Sequence, residues 1–430
     1  MNKLEKIKHS LTNGDFNKSF ERLYCTKETD KLIVRYLNIL NGYEKIFGNN
    51  NEVRLFSAPG RTEIGGNHTD HQNGCVIAAS INLDVIAAVS INNENIIRVQ
   101  SEGYPLDEID LNDLTPKQEE YNQAKALIKG VTARFKELGF DVKGFNAYTS
   151  SNVLKGSGLS SSAAFEVLIG TIINSLFCEN KISAVEIAQI SQYAENVFFG
   201  KPCGLMDQMA SSVGNIVSID FKDTKKPVIK KVDFDFASSG YALCIIDSGA
   251  DHADLTGEYA AIPEEMKKIA SYFNKNVLRE VSKNDFIKAI PNLRQQYGDR
   301  AVLRALHFFN DNKKAVEEAE CLEAKDFDKF LILVKESGQS SYMYLQNVCV
   351  CGSTKEQAVG IVLAFCDEFL QDKGAFRVHG GGFAGTVQAF VPLESLQEFK
   401  NNIEKITGKG SCHILSIRPF GGVEVTQFID

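Results

Sequence analysis

The residues best suited to chemistry fall in a few short segments of the 430-residue sequence. Lys155-Gly-Ser-Gly-Leu-Ser-Ser-Ser-Ala-Ala164 follows an expected strand and opens an apolar-periodic helix. Glycines such as Gly156 and Gly158 let a backbone approach a polyphosphate and adopt conformations closed to other residues. A helix start offers unpaired N–H groups and the positive end of its dipole. Ser160, Ser161 and Ser162 add hydroxyl donors, or a ligand for Mg²⁺. The usual P-loop spacing is absent. So is the dinucleotide fingerprint, because position 161 is serine. A serine-glycine linker ahead of a capped helix is the plain alternative.

Gly200-Lys-Pro-Cys-Gly-Leu-Met-Asp-Gln-Met-Ala-Ser-Ser212 sets one carboxylate, Asp207, beside a Pro/Gly turn. A carboxylate on a rigid turn suits the removal of a proton from an acceptor hydroxyl. Glu195, twelve residues earlier on the helix leading in, could reach a metal at the serine loop. The plain readings are a helix-capping aspartate and a solvated glutamate. Ala58-Pro-Gly-Arg-Thr-Glu-Ile-Gly-Gly-Asn-His-Thr-Asp-His-Gln-Asn-Gly74 packs Arg61, Glu63, Asn67, His68, Asp70 and His71 into a glycine-punctuated loop. Paired donors and acceptors at that density suit a ligand with many hydroxyls. His68-x-Asp70-His71 binding a metal and a merely structural turn are the alternatives. A third cluster, Arg377-Val-His-Gly-Gly-Gly-Phe-Ala-Gly-Thr386, follows a helix and leads into a strand. Alone it reads equally well as a glycine-rich hairpin.

The elements that must hold these segments are legible in outline. Residues 1–50 read as a helical extension, with Leu32, Ile33, Tyr36, Leu37 and Leu40 on one stripe. VRLFSA, CVIAASI, DVIAAVSIN, IIRVQS and KGFNAYTS read as strands. Ala164, Val167, Leu168, Thr171, Ile172, Ser175 and Leu176 keep helical spacing, and a second helix spans about 183–199. Further strands (NIVSIDF, VIKKVDFDF, YALCIIDS, GTVQAFV) mix with helices around 256–273, 299–319, 326–345, 354–371 and 393–406. Interleaving without strict βαβ alternation predicts an α+β fold. The length suggests two lobes, placed at 51–230 and 231–430.

Composition narrows the function. Apolar residues at 43% and charged residues at 24% exclude wholesale disorder and fibrous repeats. A formal charge of -8 argues against nucleic-acid binding through a broadly basic surface. No apolar run is long enough to cross a bilayer, and the first residues lack the apolar core of a secretion signal. Ten cysteines, several inside apolar runs, read as free thiols in a reducing cytoplasm. Cys349-Val-Cys351 is left as a weak metal or redox candidate.

Taken in order, these motifs resemble the GHMP small-molecule kinases and, within them, the galactokinases. Gly60–His71 (GRTEIGGNHTDH) resembles the family's G-R-x-N-x-I-G-E-H-T-D-Y, and GSGLSSSAA its second motif. Cys203-Gly-Leu-Met-Asp-Gln208 resembles C-G-x-M-D-Q, and RVHGGGFAGT the third motif. Asp254-Leu-Thr-Gly-Glu-Tyr259 and Arg304-Ala-Leu-His307 resemble segments near the sugar. The resemblance covers the chain from about Arg54 onward.

It implies a two-lobed fold with ATP and a sugar in the cleft, and transfer of phosphate to the anomeric hydroxyl of galactose. Asp207 would be the general base, with Arg61 stabilising developing charge. Gly156, Ser157, Gly158, Leu159, Ser160, Ser161 and Ser162 would cradle ATP, and Ser162 and Glu195 would hold Mg²⁺. Glu63, Asn67, His68, Asp70, Gly204 and Tyr259 would line the sugar. The departures are Glu63 for the family's Asn, Asn67 for its Glu and His71 for its Tyr. They keep galacturonate, arabinose and N-acetylgalactosamine as alternative substrates. A non-catalytic sugar and ATP sensor, as the family also contains, and a metal-dependent hydrolase using His68, Asp70 and His71 are the other readings.

Overall fold

β-branched runs in the sequence become the strands of two sheets, and the helices pack around them. The computed structural model describes residues 3–49, 52–154, 158–250 and 255–428. In the first sheet lie β1 (Arg54–Gly65), β2 (Cys75–Ile91), β3 (Ile96–Ser101), β4 (Leu106–Asp110), β5 (Phe145–Ser151), β6 (Ile216–Asp220) and β7 (Val228–Val232). The second sheet contains β8 (Tyr241–Asp247), β9 (Ala375–His379), β10 (Thr386–Pro392) and β11 (Cys412–Leu415), in the order β11-β8-β10-β9. β12 (Val423–Glu424) returns from the C-terminal end to pair with β1. The β3–β5 pairing is parallel and the rest antiparallel, so the class is α+β, as expected.

Two differences from the expected elements bear on the site. CVIAASI and DVIAAVSIN are one strand, β2. Along one edge it pairs with β1, and along the other with β6 at its start and β5 at its end. Such a strand is buried on both faces and reads as a continuous apolar run. β1 does not stop at Ala58 but runs on through Pro59 and Gly60 to Gly65. Arg61, Thr62 and Glu63 sit opposite Ser80, Ala79 and Ala78. A register shift between Pro59 and Arg61 absorbs the proline, which has no N–H to give a ladder, and a second lies between Glu63 and Gly65. Arg61 and Glu63 are therefore strand residues, not loop residues.

Among the helices, α1 (Lys3–Thr12), α2 (Asn17–Tyr24) and α3 (Asp30–Phe47) bury Phe16, Phe20, Tyr36 and Tyr43 against Leu55, Ile86 and Ala88 of the first sheet. Asp84 of β2 is fully buried and anchors this layer. It takes hydrogen bonds from Tyr24 (2.6 Å), Arg418 (3.1 Å), Arg35 and Ser57. Burial raises its carboxyl, but Arg35 and Arg418 outweigh that and hold it below the usual range. α4 (Ala124–Glu137), α5 (Ser161–Phe177), α6 (Ala184–Tyr193) and α7 (Met206–Val213) follow, and α5, α6 and α7 pack on one another. A capping box between Ser183 and Glu186 starts α6. Past Tyr193 the coil widens into a π-turn over Ala194–Phe199.

In the second half lie α8 (Thr256–Tyr272), α9 (Lys283–Tyr297), α10 (Asp299–Glu323), α11 (Phe327–Ser340), α12 (Ala358–Leu370) and α13 (Leu396–Thr407). The sequence periodicity did not mark α9, which carries Pro291 inside it and still buries Phe286 and Leu293. One core joins Phe56, Val167 and Leu168 of the first half to Leu243, Phe330 and Phe390 of the second. Tertiary burial of this kind supports helices that propensity alone does not.

Candidate active site

The serine loop, the Asp207 turn and β1 meet. Arg61 reaches Asp207 with both arms, Nε to Oδ1 at 2.7 Å and Nη2 to Oδ2 at 2.6 Å. Its Nη1 donates to the carbonyl of Gly158, and its backbone N–H to the carbonyl of Leu159 at 3.1 Å. Ser160 donates its hydroxyl to Asp207 Oδ2. The planar guanidinium fork allows this bidentate grip, which an ammonium cannot reproduce. The Arg61 side chain is 8% exposed and that of Asp207 32%, so the carboxylate keeps an open side. Asp207 lies in the first turn of α7, where an acidic residue suits the helix dipole. Ser160 caps α5 in the left-handed region at φ 53°, and Gly158 before it has φ 70°. Gly156 and Ser157 lie outside the described residues.

Behind this pair, Ser161 and Ser162 open α5. Ser162 Oγ lies 3.3 Å from Glu195 Oε1, and Glu195 sits on the π-turn with 3% exposure. A hydroxyl and a carboxylate are the hard oxygen donors Mg²⁺ prefers, and Mg²⁺ takes few protein ligands when phosphates supply the others. The pair fits such an ion. Among the described residues, no cluster of three or more His, Cys, Asp or Glu side chains is arranged to hold a metal. Cys349 and Cys351 are free thiols, like the other eight cysteines. Glu166 and Gln208 also meet Glu195, and the sequence reading assigned neither a role. Glu166 lies one helical turn beyond Ser162 and is the one charged residue of α5, and that spacing is the signal that could have found it. Burial, and next the neighbouring Glu195 charge, push its carboxyl well up.

The loop after β1 divides its residues between two environments. Glu63 and Asn67 are buried and bonded to each other, Asn67 Nδ2 to Glu63 Oε1 at 2.9 Å. Asn67 also donates to the Gly380 carbonyl (2.7 Å) and accepts from Asn347 Nδ2 (2.9 Å). Glu63 Oε1 receives Arg377 Nη2 at 2.8 Å, and Arg377 Nη1 donates to the Ile64 carbonyl at 2.7 Å. Burial raises the Glu63 carboxyl to about 7 against the opposing pull of Arg377. His307 of α10 donates through Nε2 to the Asn67 carbonyl and meets the Ser340 hydroxyl through Nδ1, both at 2.9 Å. β1 and its loop are thus fastened to the second sheet and α10. The carboxamide of Asn67 is taken up by the protein.

The other loop residues lie elsewhere. Asp70 sits against Gly204, where a Cβ would come within 2.4 Å of Asp70 Oδ2. Only a bare α-carbon lets the Asp207 turn approach that carboxylate. A surface pocket beside them is lined by His71, Gln192, Cys203 and Phe221. His68, at φ 59°, bonds through Nε2 to the Gly381 carbonyl at 3.1 Å. Burial, and next the nearby His71, lower its imidazole to about 4. Tyr259 donates to the Gly382 carbonyl at 3.0 Å. His68, Asn67 and Tyr259 therefore converge on the third glycine cluster, while Arg61, Asp207 and Ser160 converge on the serine loop. Gly158 brings the two sets together, since a Cβ there would lie 3.2 Å from His379 Nδ1.

Comparison with known proteins gives this geometry a family. The profile of the GHMP kinases N terminal domain matches residues 126–215, and the galactokinase galactose-binding signature matches residues 41–91. The galactokinase of Glaesserella parasuis serovar 5 is 31% identical over 379 residues, covering 85% of this chain and 93% of that protein. That of Actinobacillus pleuropneumoniae serotype 3 is 31% identical over 370 residues, covering 83% and 91%. In fold, the crystal structure of Lactococcus lactis galactokinase complexed with galactose matches with a TM-score of 0.77. It is 22% identical and covers 91% of this chain and 100% of its own. With most of its length aligned to galactokinases and their GHMP kinase fold reproduced, the chain belongs to the galactokinase family.

Proposed function

We propose that this protein is a galactokinase that moves the γ-phosphoryl group of ATP to the anomeric hydroxyl of galactose, giving galactose 1-phosphate and ADP. The observation that carries the reading is the two-armed Arg61–Asp207 pair fastened to the Gly158 carbonyl and the Ser160 hydroxyl. It holds a proton acceptor against the loop suited to phosphates. Asp207 accepts the sugar's proton as the new P–O bond forms. Its Oδ2 already accepts from a hydroxyl, that of Ser160. Arg61 steadies negative charge on the attacking oxygen and the phosphoryl group. The N-terminus of α5, with Gly158, Leu159 and the three serines, binds the triphosphate.

Ser162 and Glu195 would hold Mg²⁺, which when bound neutralises phosphate charge. Asp70 and Gly204, with His68 and Tyr259, orient the sugar. Glu63 and Asn67 act on it through the loop they brace, since their side chains bond Arg377, Gly380 and Asn347. The ten free thiols fit a reducing cytoplasm as the place of work. Among the described residues, no helix is long and apolar enough to cross a membrane.

A coupled ADP-release assay over galactose, galacturonate, arabinose, glucose and N-acetylgalactosamine tests the substrate. Galactose should give the highest kcat/KM, and a larger value for another sugar would reassign it. Asp207→Ala should lower kcat by roughly 10²–10⁴-fold while ATP still binds. Full turnover in that variant would remove Asp207 as the base, and saturable ATP binding without ADP from any sugar would favour a sensor.

A further inference from the structure

Two buried carboxyl groups share one amide beneath the site. Glu166 is fully buried and Glu195 nearly so. Gln208, also fully buried, is the residue after Asp207 on α7. Its Nε2 donates to Glu195 Oε2 at 2.7 Å and to Glu166 Oε2 at 3.2 Å. An amide nitrogen carries two hydrogens, and both are used here. Glu195 thereby commits one oxygen to the protein. Its other oxygen, Oε1, faces Ser162 Oγ at 3.3 Å and Lys201 Nζ at 3.4 Å. Glu166 Oε1 and Gln208 Oε1 have no partner among the described residues. Burying polar atoms unpaired opposes folding, and the helix around Glu166 is otherwise filled by Val167, Leu168 and Ile169. Packing alone therefore does not account for a carboxyl group at this position.

We propose that Gln208 and Glu166 are positioning residues: their shared hydrogen bonds turn Glu195 Oε1 toward Ser162. The bridge also ties that pair to the backbone beside Asp207. The spacing between the metal-holding oxygens and the proton acceptor is then set by one carboxamide. Outer partners of this kind orient a ligand and tune how well it holds a metal. The inference rests on the sugar-kinase reading above for the identity of the ion.

The test measures metal directly, by the loss of the free Mn²⁺ electron paramagnetic resonance signal on titration into full-length protein with ADP. Half-saturating Mg²⁺ and galactose KM are recorded beside it. Gln208→Met keeps the volume and removes the bridge, and it should weaken Mn²⁺ binding about 10- to 100-fold with galactose KM within about twofold. Glu166→Leu should do the same. Glu166→Gln keeps an acceptor oxygen for Gln208 and should restore Mn²⁺ affinity to within about threefold of the parent. Unchanged Mn²⁺ affinity in Gln208→Met overturns the proposal, as does a loss in Glu166→Gln equal to that in Glu166→Leu. Should Glu166→Leu fail to fold, Gln208→Met and Glu166→Gln decide the matter. If the parent binds Mn²⁺ with ADP but phosphorylates no sugar, the kinase reading fails while the bridge is still read. A parent that binds no Mn²⁺ with ADP overturns both.

Discussion

Replacing Arg61 by lysine keeps the charge and removes the fork. The arginine makes two bonds to Asp207, at 2.7 and 2.6 Å, and a third to the Gly158 carbonyl. A lysine ammonium has one nitrogen and a shorter reach to that pair, so at most one carboxylate oxygen stays bonded and the tie to Gly158 is lost. Charge-assisted hydrogen bonds are worth about 1.5–3 kcal/mol each, and Asp207 is partly open to water, so the lower half of that range applies to each. If the two lost bonds matter only as the proton leaves and charge builds on the phosphoryl oxygens, the barrier rises by about 3–4.5 kcal/mol. That is roughly 150- to 2,000-fold in kcat. The assay is ADP release at saturating galactose and ATP, with thermal melting as a control for folding. ATP KM should stay within about threefold, because the Arg61 side chain meets the loop at the Gly158 carbonyl while its backbone bond to the Leu159 carbonyl is kept in the lysine variant. A folded Arg61→Lys protein with kcat within about threefold of the parent would refute the reasoning, since the fork would then serve the fold and not the reaction.

Two further outcomes follow from the geometry. Gly204→Ala places a methyl 2.4 Å from Asp70 Oδ2 and must displace that carboxylate. Galactose KM should rise about tenfold, the worth of one charge-assisted bond, with ATP KM unchanged; equal rises in both would show a general distortion. Glu63→Gln isolates one titration. The folded carboxyl, raised to about 7, binds its proton more tightly than the unfolded one near 4.5. Its contribution to stability is therefore full below about pH 4.5 and is lost as pH rises to about 7. Over that window the parent should lose on the order of 3 kcal/mol relative to Glu63→Gln in urea unfolding, and parallel stability curves for the two proteins would contradict it.

Much of the site was legible because its signals are local. The Gly/Ser run ahead of a periodic helix, the Pro/Gly turn before Asp207 and the glycine-rich loop each carry their chemistry in ten or so consecutive residues. The helix with Ser162 lies where its spacing put it. Less was legible wherever two elements decide together. VRLFSA read as a strand ending at Ala58, yet β1 continues through a proline because β2 lies alongside to pair with it. Glu63 and Asn67 read as two polar loop residues facing a sugar. Their bonding to Arg377, Gly380 and Asn347 depends on the second sheet arriving behind them. Glu166 looked like any polar residue on a helix until Gln208 met it from another.

By itself, the order of residues determined the kinds of groups present, the elements that carry them and the family they belong to. Periodicity, turn chemistry and motif spacing act over a few residues and need no partner to be read. Tertiary structure alone decided which groups touch. Arg61 and Asp207 are 146 residues apart in the chain, and only burial of a shared core brings their strand and helix within hydrogen-bond reach. Which oxygen of Glu195 faces Ser162 was likewise settled by folding, because a hydrogen bond has direction and length that a sequence does not record.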